Sequence, residues 1–206
     1  MRLTFHGGVE DVTGSCFLLE TSKGKLLIDC GMHQGERMCS KKNLEPFAFN
    51  PVHIFSVVVT HAHFDHTGRT PDLVKRGYTG KIFMTPPTKA LTQIVLEDSV
   101  KVMRENAKRC GDPVPYDADD LAAMLAQTVT IPYHHVVELF DGVTAEFFDA
   151  GHILGSSFIR IIATDGGESK SFIFSGDIGN DDVPILPDTE DRPETDIVIC
   201  EATYGG

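Results

Sequence analysis

The run His61-Ala62-His63-Phe64-Asp65-His66 places four potential metal ligands within six residues. His61 and His63 are two residues apart, so in an extended chain both imidazoles project to the same side. Asp65 and His66 lie within reach in the turn that would follow. Zinc binds imidazole and carboxylate readily, and a catalytic zinc keeps one position open for water. The run therefore predicts a catalytic metal site, with enough ligands for two ions, rather than a histidine-rich surface loop.

Two later clusters have the same character. Asp149-Ala150-Gly151-His152 closes one apolar run, and Phe174-Ser175-Gly176-Asp177 closes another. Alone, His152 would more often be structural, and Asp177 would usually be a turn residue. Beside the first cluster, we expect both to bind metal. Asp29 also follows an apolar run, and we expect it to be the carboxylate that orients a ligand histidine.

Strand ends must position these clusters, because each one follows a β-rich apolar segment. The predicted strands are Leu3–Phe5, Cys16–Glu20, Lys25–Asp29, Val57–Thr60, Lys81–Met84, Val136–Phe140, Val143–Asp149, Ser157–Thr164, Lys170–Ser175 and Asp196–Cys200. The predicted helices are Thr67–Arg76, about Thr88–Arg109 with an end at Gly111, and Asp117–Gln127 with Asp117 as N-cap. Strands at both ends and helices between them favour a sheet sandwich flanked by helices.

Length and composition favour one domain over residues 1–206. The chain has 41% apolar and 23% charged residues, which is enough to bury a core. No segment has the pattern of a signal peptide or of a membrane span, so we expect no membrane association and a cytoplasmic location. The five cysteines are Cys16, Cys30, Cys39, Cys110 and Cys200. Their odd number and wide spacing predict no disulfide framework and a reducing compartment, and the apolar runs around Cys30 and Cys200 predict buried thiols.

A formal net charge of −12 argues against a chain that grips a polyanion by itself. Two bound zinc ions would bring four positive charges and reverse this locally. The stretch Asp181–Asp196 holds seven acidic residues and three prolines, which predicts an extended solvated loop that repels nucleic acid. The best basic candidate is the predicted helix Thr88–Arg109, although a plain exposed helix face is the better explanation of its lysines and arginines.

Four segments together resemble the metallo-β-lactamase superfamily. They are G-V-E-D-V-T-G-S at 8–15, H-A-H-F-D-H at 61–66, A-G-H-I-L-G-S at 150–156 and S-G-D-I-G at 175–179. The third segment and Glu201-Ala202-Thr203-Tyr204-Gly205 resemble the beta-CASP branch, which contains the mRNA 3′-end cleavage endonuclease. The resemblance runs from Met1 to the last residue. It implies the α/β metallo-β-lactamase fold, an αββα sandwich, which we expect to be incomplete at its C-terminal end.

The resemblance also implies roles for the clustered residues. One zinc ion would be held by His61, His63 and His152, the other by Asp65 and His66, with Asp177 as the bridge between them. Asp29 matches the outer carboxylate of the family. Glu201 matches an acidic residue that supports a distant histidine proposed to protonate the leaving group. That histidine, the cap domain inserted after this point and a further zinc ligand would all follow Gly206 in the family, so we expect this chain to be the N-terminal portion of such a domain.

The resemblance implies a zinc-dependent phosphodiesterase or ribonuclease that cleaves RNA with a water activated by two metal ions. Asp65, Asp29 and Glu201 are then the expected catalytic carboxylates. A thioester or lactam hydrolase of the same fold is a competing interpretation, although Gly151-His152-Ile153 differs from the G-H-T of glyoxalase-type relatives. A non-catalytic subunit of an RNA-processing complex is another, although all six expected ligands are present.

A homo-oligomer is compatible with the sequence. The remaining histidines, His6, His33, His53, His134 and His135, are expected at the surface or in the core.

Overall fold

The computed structural model describes residues 1–9, 11–35 and 41–205. Cys39, and Glu10 of the G-V-E-D-V-T-G-S segment, lie outside these ranges. Six strands form the first sheet, in the spatial order of the sequence. They are β1 (Arg2–Gly7), β2 (Cys16–Glu20), β3 (Lys25–Ile28), β4 (Ser56–Val58), β5 (Lys81–Met84) and β6 (Thr128–Thr130).

The first sheet changes from antiparallel to parallel pairing at β3. Strands β1 to β3 pair antiparallel, whereas β3, β4, β5 and β6 pair parallel. All three residues of β4 are buried, as expected of a parallel strand that is covered on both faces. Because β3 and β4 run in the same direction, their carboxyl ends meet at one edge of the sheet. That edge receives Asp29 after β3 and the His61–His66 run after β4.

Four helices of the described residues accompany this sheet: α1 (Phe64–Thr67), α2 (Thr70–Lys75), α3 (Pro86–Cys110) and α4 (Ala118–Gln127). Two predictions are confirmed in detail. Helix α3 ends at Gly111, which is left-handed with φ +68°. Asp117 caps α4 in a capping box with Asp120.

The helix predicted over Thr67–Arg76 is observed as α2, which begins only at Thr70 and is preceded by the separate helix α1. Pro71 lies in the first turn of α2, where its missing N–H costs nothing. Just before it, the backbone N–H of Arg69 donates to Cys30 O at 2.9 Å instead of continuing α1. The contact with the end of β3 therefore interrupts the helix.

The second sheet has the order β11-β10-β9-β8-β7. Its strands are β7 (Val137–Phe140), β8 (Val143–Asp149), β9 (Ser157–Asp165), β10 (Glu168–Phe174) and β11 (Ile197–Ile199). All neighbours pair antiparallel except β10 and β11, which are parallel. The predicted strands of this half agree with the observed bounds to within two residues.

The two faces of the first sheet bury different partners. Leu27, Val57 and Ile82 pack with the helices in one core, while Leu26 and Val58 face the second sheet in another. The predicted sandwich is thus confirmed as a helical layer on one sheet and a second sheet behind it. The buried apolar residues of α2, α3 and α4 all belong to the core between the helices and the first sheet.

The cysteine predictions are only partly confirmed. Cys30 is buried, at 1% exposure, as expected. Cys200 is exposed instead of buried, because it follows the short edge strand β11 rather than an interior one. Cys110 is disulfide-bonded, a bond that the scattered spacing of the cysteines did not predict. No helix within the described ranges has both the length and the apolar character that crossing a bilayer requires.

Candidate metal centre

Three loops bring the predicted ligands together at one end of the sandwich. The chain leaves β4 through Val59 and Thr60 and places His61 in the interior, at 0% exposure. His63 is the N-cap residue of α1, and this four-residue helix carries Asp65 and His66. His152 lies in the β8–β9 loop and Asp177 follows β10. Residues 116 positions apart along the chain therefore converge on one site.

Four side chains form a compact ligand group. The ligand atoms of His61, His63, His152 and Asp177 all lie within 4.8 Å of one another. Nδ1 of His63 is 3.0 Å from Nε2 of His61 and 3.2 Å from Nε2 of His152. Oδ2 of Asp177 is 3.6 Å from the His61 nitrogen and 3.5 Å from the His152 nitrogen.

These distances fit a bound cation. Ligand atoms around a tetrahedral zinc are about 3.3 Å apart, given bonds of about 2.0 Å. Nδ1 of His63 faces two other imidazole nitrogens, and neutral imidazoles cannot satisfy all of these close contacts by hydrogen bonds alone. A metal ion among the lone pairs would turn this repulsion into coordination. The residues present therefore suit a metal that prefers nitrogen and carboxylate ligands.

Protonation also favours coordination. Burial lowers the pKa of His61 to about 4, and the neighbouring His66 adds to the shift. Burial also lowers the pKa of His152. Both imidazoles are thus neutral near pH 7, which is the form that binds metals. Burial acts to raise the pKa of Asp177, but the neighbouring imidazoles of His61, His63 and His66 outweigh it and hold the pKa far below its usual range.

His66 lies between two carboxylates. Its Nδ1 is 2.7 Å from Oδ2 of Asp29, and its Nε2 is 3.1 Å from Oδ1 of Asp177. Burial acts to lower the pKa of His66, but the two carboxylates raise it to about 10. In the metal-free chain this residue is an imidazolium, and a metal ion can take the place of its proton.

Asp29 is fixed by the strand end next to it. Its carboxylate accepts from the backbone N–H of Thr60 at 2.8 Å and from the Thr60 hydroxyl at 2.8 Å. Asp29 is 1% exposed and has φ +56°, a conformation that favours small polar residues. The expectation that Asp29 contacts a ligand histidine agrees with this geometry. Thr60 was not singled out by sequence reasoning, since its position before His61 carries no signal of its own.

Asp65 is placed less well for the predicted role. It does not belong to the four-ligand group. Among the described residues, its carboxylate forms no hydrogen bond or ion pair, while its backbone carbonyl accepts from Ser15 N at 2.8 Å. The structure thus brings His66 and Asp177 together, at 3.1 Å, without bringing Asp65 to them.

Glu201 touches the Asp177 loop and none of the candidate ligands. One carboxylate oxygen accepts from the backbone N–H of Ile178 at 2.6 Å, and the other accepts from the Thr203 hydroxyl. Its own N–H donates to Oγ of Ser175 at 2.9 Å. The contacts suit a residue that holds the loop on either side of Asp177, rather than one that moves a proton to substrate.

A cavity of about 430 Å³ opens beside His66 and Asp177. Asp29, Thr60 and Glu201 line its polar side, and Phe5 lies on its apolar side. The cavity therefore reaches the Asp177 side of the ligand group.

Comparison with known proteins gives the family context. The sequence profile of the metallo-beta-lactamase superfamily matches residues 9–197. Ribonuclease TTHA0252 of Thermus thermophilus is 37% identical over 205 residues, which cover 100% of this chain and 44% of that protein. Transcription termination factor FttA of Methanosarcina mazei is 35% identical over 211 residues, which cover 100% of this chain and 32% of that protein. Probable RNase MJ4 of Methanocaldococcus jannaschii is 29% identical over 210 residues, which cover 100% of this chain and 46% of that protein. The chain thus spans less than half the length of these relatives.

Solved structures show the same fold at low identity. BJP-1, a subclass B3 metallo-beta-lactamase of Bradyrhizobium japonicum, superimposes with a TM-score of 0.52 at 22% identity, covering 85% of this chain and 59% of that one. A protein of unknown function from Enterococcus faecalis V583 gives a TM-score of 0.55 at 14% identity, covering 85% and 43%. At such identities the likeness is one of fold alone.

Proposed function

Because the chain belongs to the metallo-beta-lactamase superfamily, we propose that it is the catalytic core of a zinc-dependent, beta-CASP-type phosphodiesterase that cleaves RNA. The observation that carries the proposal is the group His61, His63, His152 and Asp177, whose ligand atoms all lie within 4.8 Å of one another. The names of the similar proteins, two of them ribonucleases, support RNA as the substrate class. The complete protein, rather than this chain alone, would define the substrate.

The chain's own residues would divide the work. His61, His63 and His152 would hold one zinc ion, and His66 with Asp65 would hold a second, with Asp177 between the two. When bound, the ions supply Lewis acidity that activates water and stabilises charge on the phosphoryl group. Asp29 would keep the His66 ring in position through its 2.7 Å contact with Nδ1. Asp65 would have to turn its carboxylate towards His66, since it has no such contact now.

Glu201 would help to orient Asp177, the carboxylate proposed to lie between the two ions. Its hydrogen bond to Ile178 N fixes the residue that follows Asp177, so the carboxylate of Asp177 keeps its direction. A direct proton transfer from Glu201 is not part of the proposal.

The decisive experiment combines metal content with RNA cleavage. His63→Ala should lose at least one equivalent of zinc by elemental mass spectrometry and should abolish cleavage of a single-stranded RNA. His53→Ala is the matched control, because His53 is exposed and lies outside the ligand group. A zinc-free wild-type chain, or full zinc content in His63→Ala, would overturn the metal site. Zinc binding without RNA cleavage, together with turnover of a thioester or lactam, would overturn the substrate class.

A further inference from the structure

The β8–β9 loop that carries His152 is held by the first turn of α3. The backbone carbonyl of Gly155 accepts from the Thr85 hydroxyl at 2.7 Å and from the Thr88 hydroxyl at 2.7 Å. Both hydroxyls are buried, at 1% and 0% exposure. The two hydroxyl oxygens are also 2.9 Å apart, so the single hydrogen of the Thr85 hydroxyl is shared between the Gly155 carbonyl and the Thr88 hydroxyl oxygen. Two threonines from a distant part of the chain thus fix one peptide of the loop.

The helix start is built to hold its two hydroxyls in place. Thr85 is the N-cap residue, and its hydroxyl oxygen accepts from Thr88 N at 3.3 Å. Pro86 and Pro87 fill the first two helical positions, where no N–H is needed and φ is fixed. The turn is therefore rigid before any contact with the loop is made.

The loop fits closely against this turn. Gly155 has φ +82°, and a Cβ there would lie 2.7 Å from Cβ of Pro87 and 2.8 Å from Thr88 N. Only glycine allows the peptide to approach the helix so closely. The Gly155 carbonyl consequently cannot shift away from the threonines without losing packing as well as both hydrogen bonds.

The held peptide is connected to His152 through Ser156. The hydroxyl oxygen of Ser156 accepts from His152 N at 3.0 Å and from Ile153 N at 3.2 Å. On the other side, the N–H and hydroxyl of Ser157 both donate to Thr60 O at 2.8 Å, next to His61. The peptide between Gly155 and Ser156 thus lies at the junction of two chain segments that deliver ligands to the same group.

We propose that Thr85 and Thr88 are positioning residues that set the place of His152 relative to His61 and His63, and so set the affinity of the site for metal. The inference rests on the proposed function, since it takes His152 to be a metal ligand. Neither threonine belongs to the ligand group, so their effect must pass through Gly155 and Ser156.

The test measures cobalt(II) binding to the whole chain, by competition with a chromophoric chelator and by the visible absorption spectrum of the bound ion. Thr88→Val removes one hydroxyl at nearly constant shape and should weaken cobalt affinity about tenfold, as loss of a residue that orients a ligand does. It should also change the spectrum, which reports ligand geometry. Thr88→Ser keeps the hydroxyl and should restore both readings.

Thr92→Val is the matched control for the loss of a buried hydroxyl. Thr92 lies one turn further along α3, is 0% exposed, and its hydroxyl has no hydrogen-bond partner among the described residues. Its substitution should leave cobalt affinity and spectrum unchanged. Circular dichroism of each metal-free variant separates loss of folding from loss of positioning.

Thr85→Val is the second variant, so that failure of one variant to fold does not leave the matter open. Wild-type affinity and spectrum in whichever of the two variants folds would overturn the proposal, while RNA cleavage by the wild type would leave the proposed function intact. A wild-type chain that binds no cobalt would instead overturn the metal site itself. The two failures are therefore distinguishable.

Discussion

At the scale of single residues, the contact between Asp29 and His66 links metal binding to the stability of the metal-free fold. Both side chains are buried, at 1% and 3% exposure, and their atoms are 2.7 Å apart. The pKa of His66, about 10 in the folded chain, lies above its usual value of 6.5. A raised pKa of this kind contributes stability that is complete below pH 6.5 and is lost as the pH rises towards 10.

Asp29→Asn should therefore destabilise the metal-free chain in a pH-dependent way. We expect a loss on the order of 3 kcal/mol in unfolding free energy near pH 6, the usual scale for breaking a buried ion pair. The loss should shrink steadily between about pH 6.5 and pH 10, where His66 gives up its proton in the wild type as well. Urea unfolding of both proteins with chelator present, at several pH values, measures this difference.

Asp72→Asn controls for the loss of a buried carboxylate as such. Asp72 is also 1% exposed, but its partners are Arg76 at 2.8 Å and Arg69 at 3.5 Å, and neither arginine titrates in this range. The loss of unfolding free energy caused by Asp72→Asn should be independent of pH between 6 and 10. If the loss of unfolding free energy caused by Asp29→Asn is equally independent of pH over this range, His66 is not held as a cation.

At the scale of elements, the capping box of α4 makes a separate contribution to stability. The Asp117 side chain accepts from the N–H groups of Asp119 and Asp120, and Asp120 accepts from Asp117 N in return. Asp117→Ala should lower the unfolding free energy by about 1 kcal/mol, because it leaves donors of the first turn without partners. Asp98→Ala, in the interior of α3, should change it by less than about 0.5 kcal/mol. Equal losses in the two variants would remove the capping explanation.

Local signals of this kind are the part of the fold that the sequence predicts well. Asp117 and Gly111 mark helix ends through contacts with their near neighbours, so the end of α3 and the start of α4 follow from the chain itself. The interruption between α1 and α2 depends on Cys30 O, which lies 39 residues before Arg69. Cys200 is exposed because β11 lies at a sheet edge, and the position of a strand in its sheet is not encoded in that strand.

The same distinction between local and long-range contacts applies to the candidate site. Ligand-type residues that follow apolar strands were recognisable because strand ends converge, and His61, His63, His152 and Asp177 do meet. Thr88 was predicted only as the approximate start of a helix, and Thr85 was not predicted at all, since their partner Gly155 lies 67 or more residues away. Asp65 shows the opposite case, because a place in the H-x-H-x-D-H run did not bring its carboxylate into the ligand group.

At the scale of the whole molecule, the net charge of −12 opposes an RNA substrate, and part of that charge lies beside the site. The acidic stretch Asp181–Asp196 runs along the His152 loop. Thr189 donates its hydroxyl proton to Ala150 O at 2.8 Å, and Glu190 N donates to Asp149 O at 3.1 Å. These contacts place the acidic stretch next to the start of the loop that carries His152.

Neutralising exposed acids of this stretch should strengthen RNA binding at low salt. The triple variant Asp181→Asn, Asp191→Asn and Glu194→Gln should lower the dissociation constant for a single-stranded oligonucleotide at least about threefold at 10 mM ionic strength, because a local repulsive potential is removed. At about 1 M the Debye length falls from about 30 Å to about 3 Å, so the gain should vanish.

The matched variant Asp98→Asn, Glu105→Gln and Glu138→Gln removes the same charge from exposed positions on α3 and β7. Fluorescence anisotropy with zinc present separates the cases: a gain in the first variant alone places the RNA path along the acidic stretch. Equal gains in both would mean that only net charge matters, and no gain in either would place the RNA elsewhere.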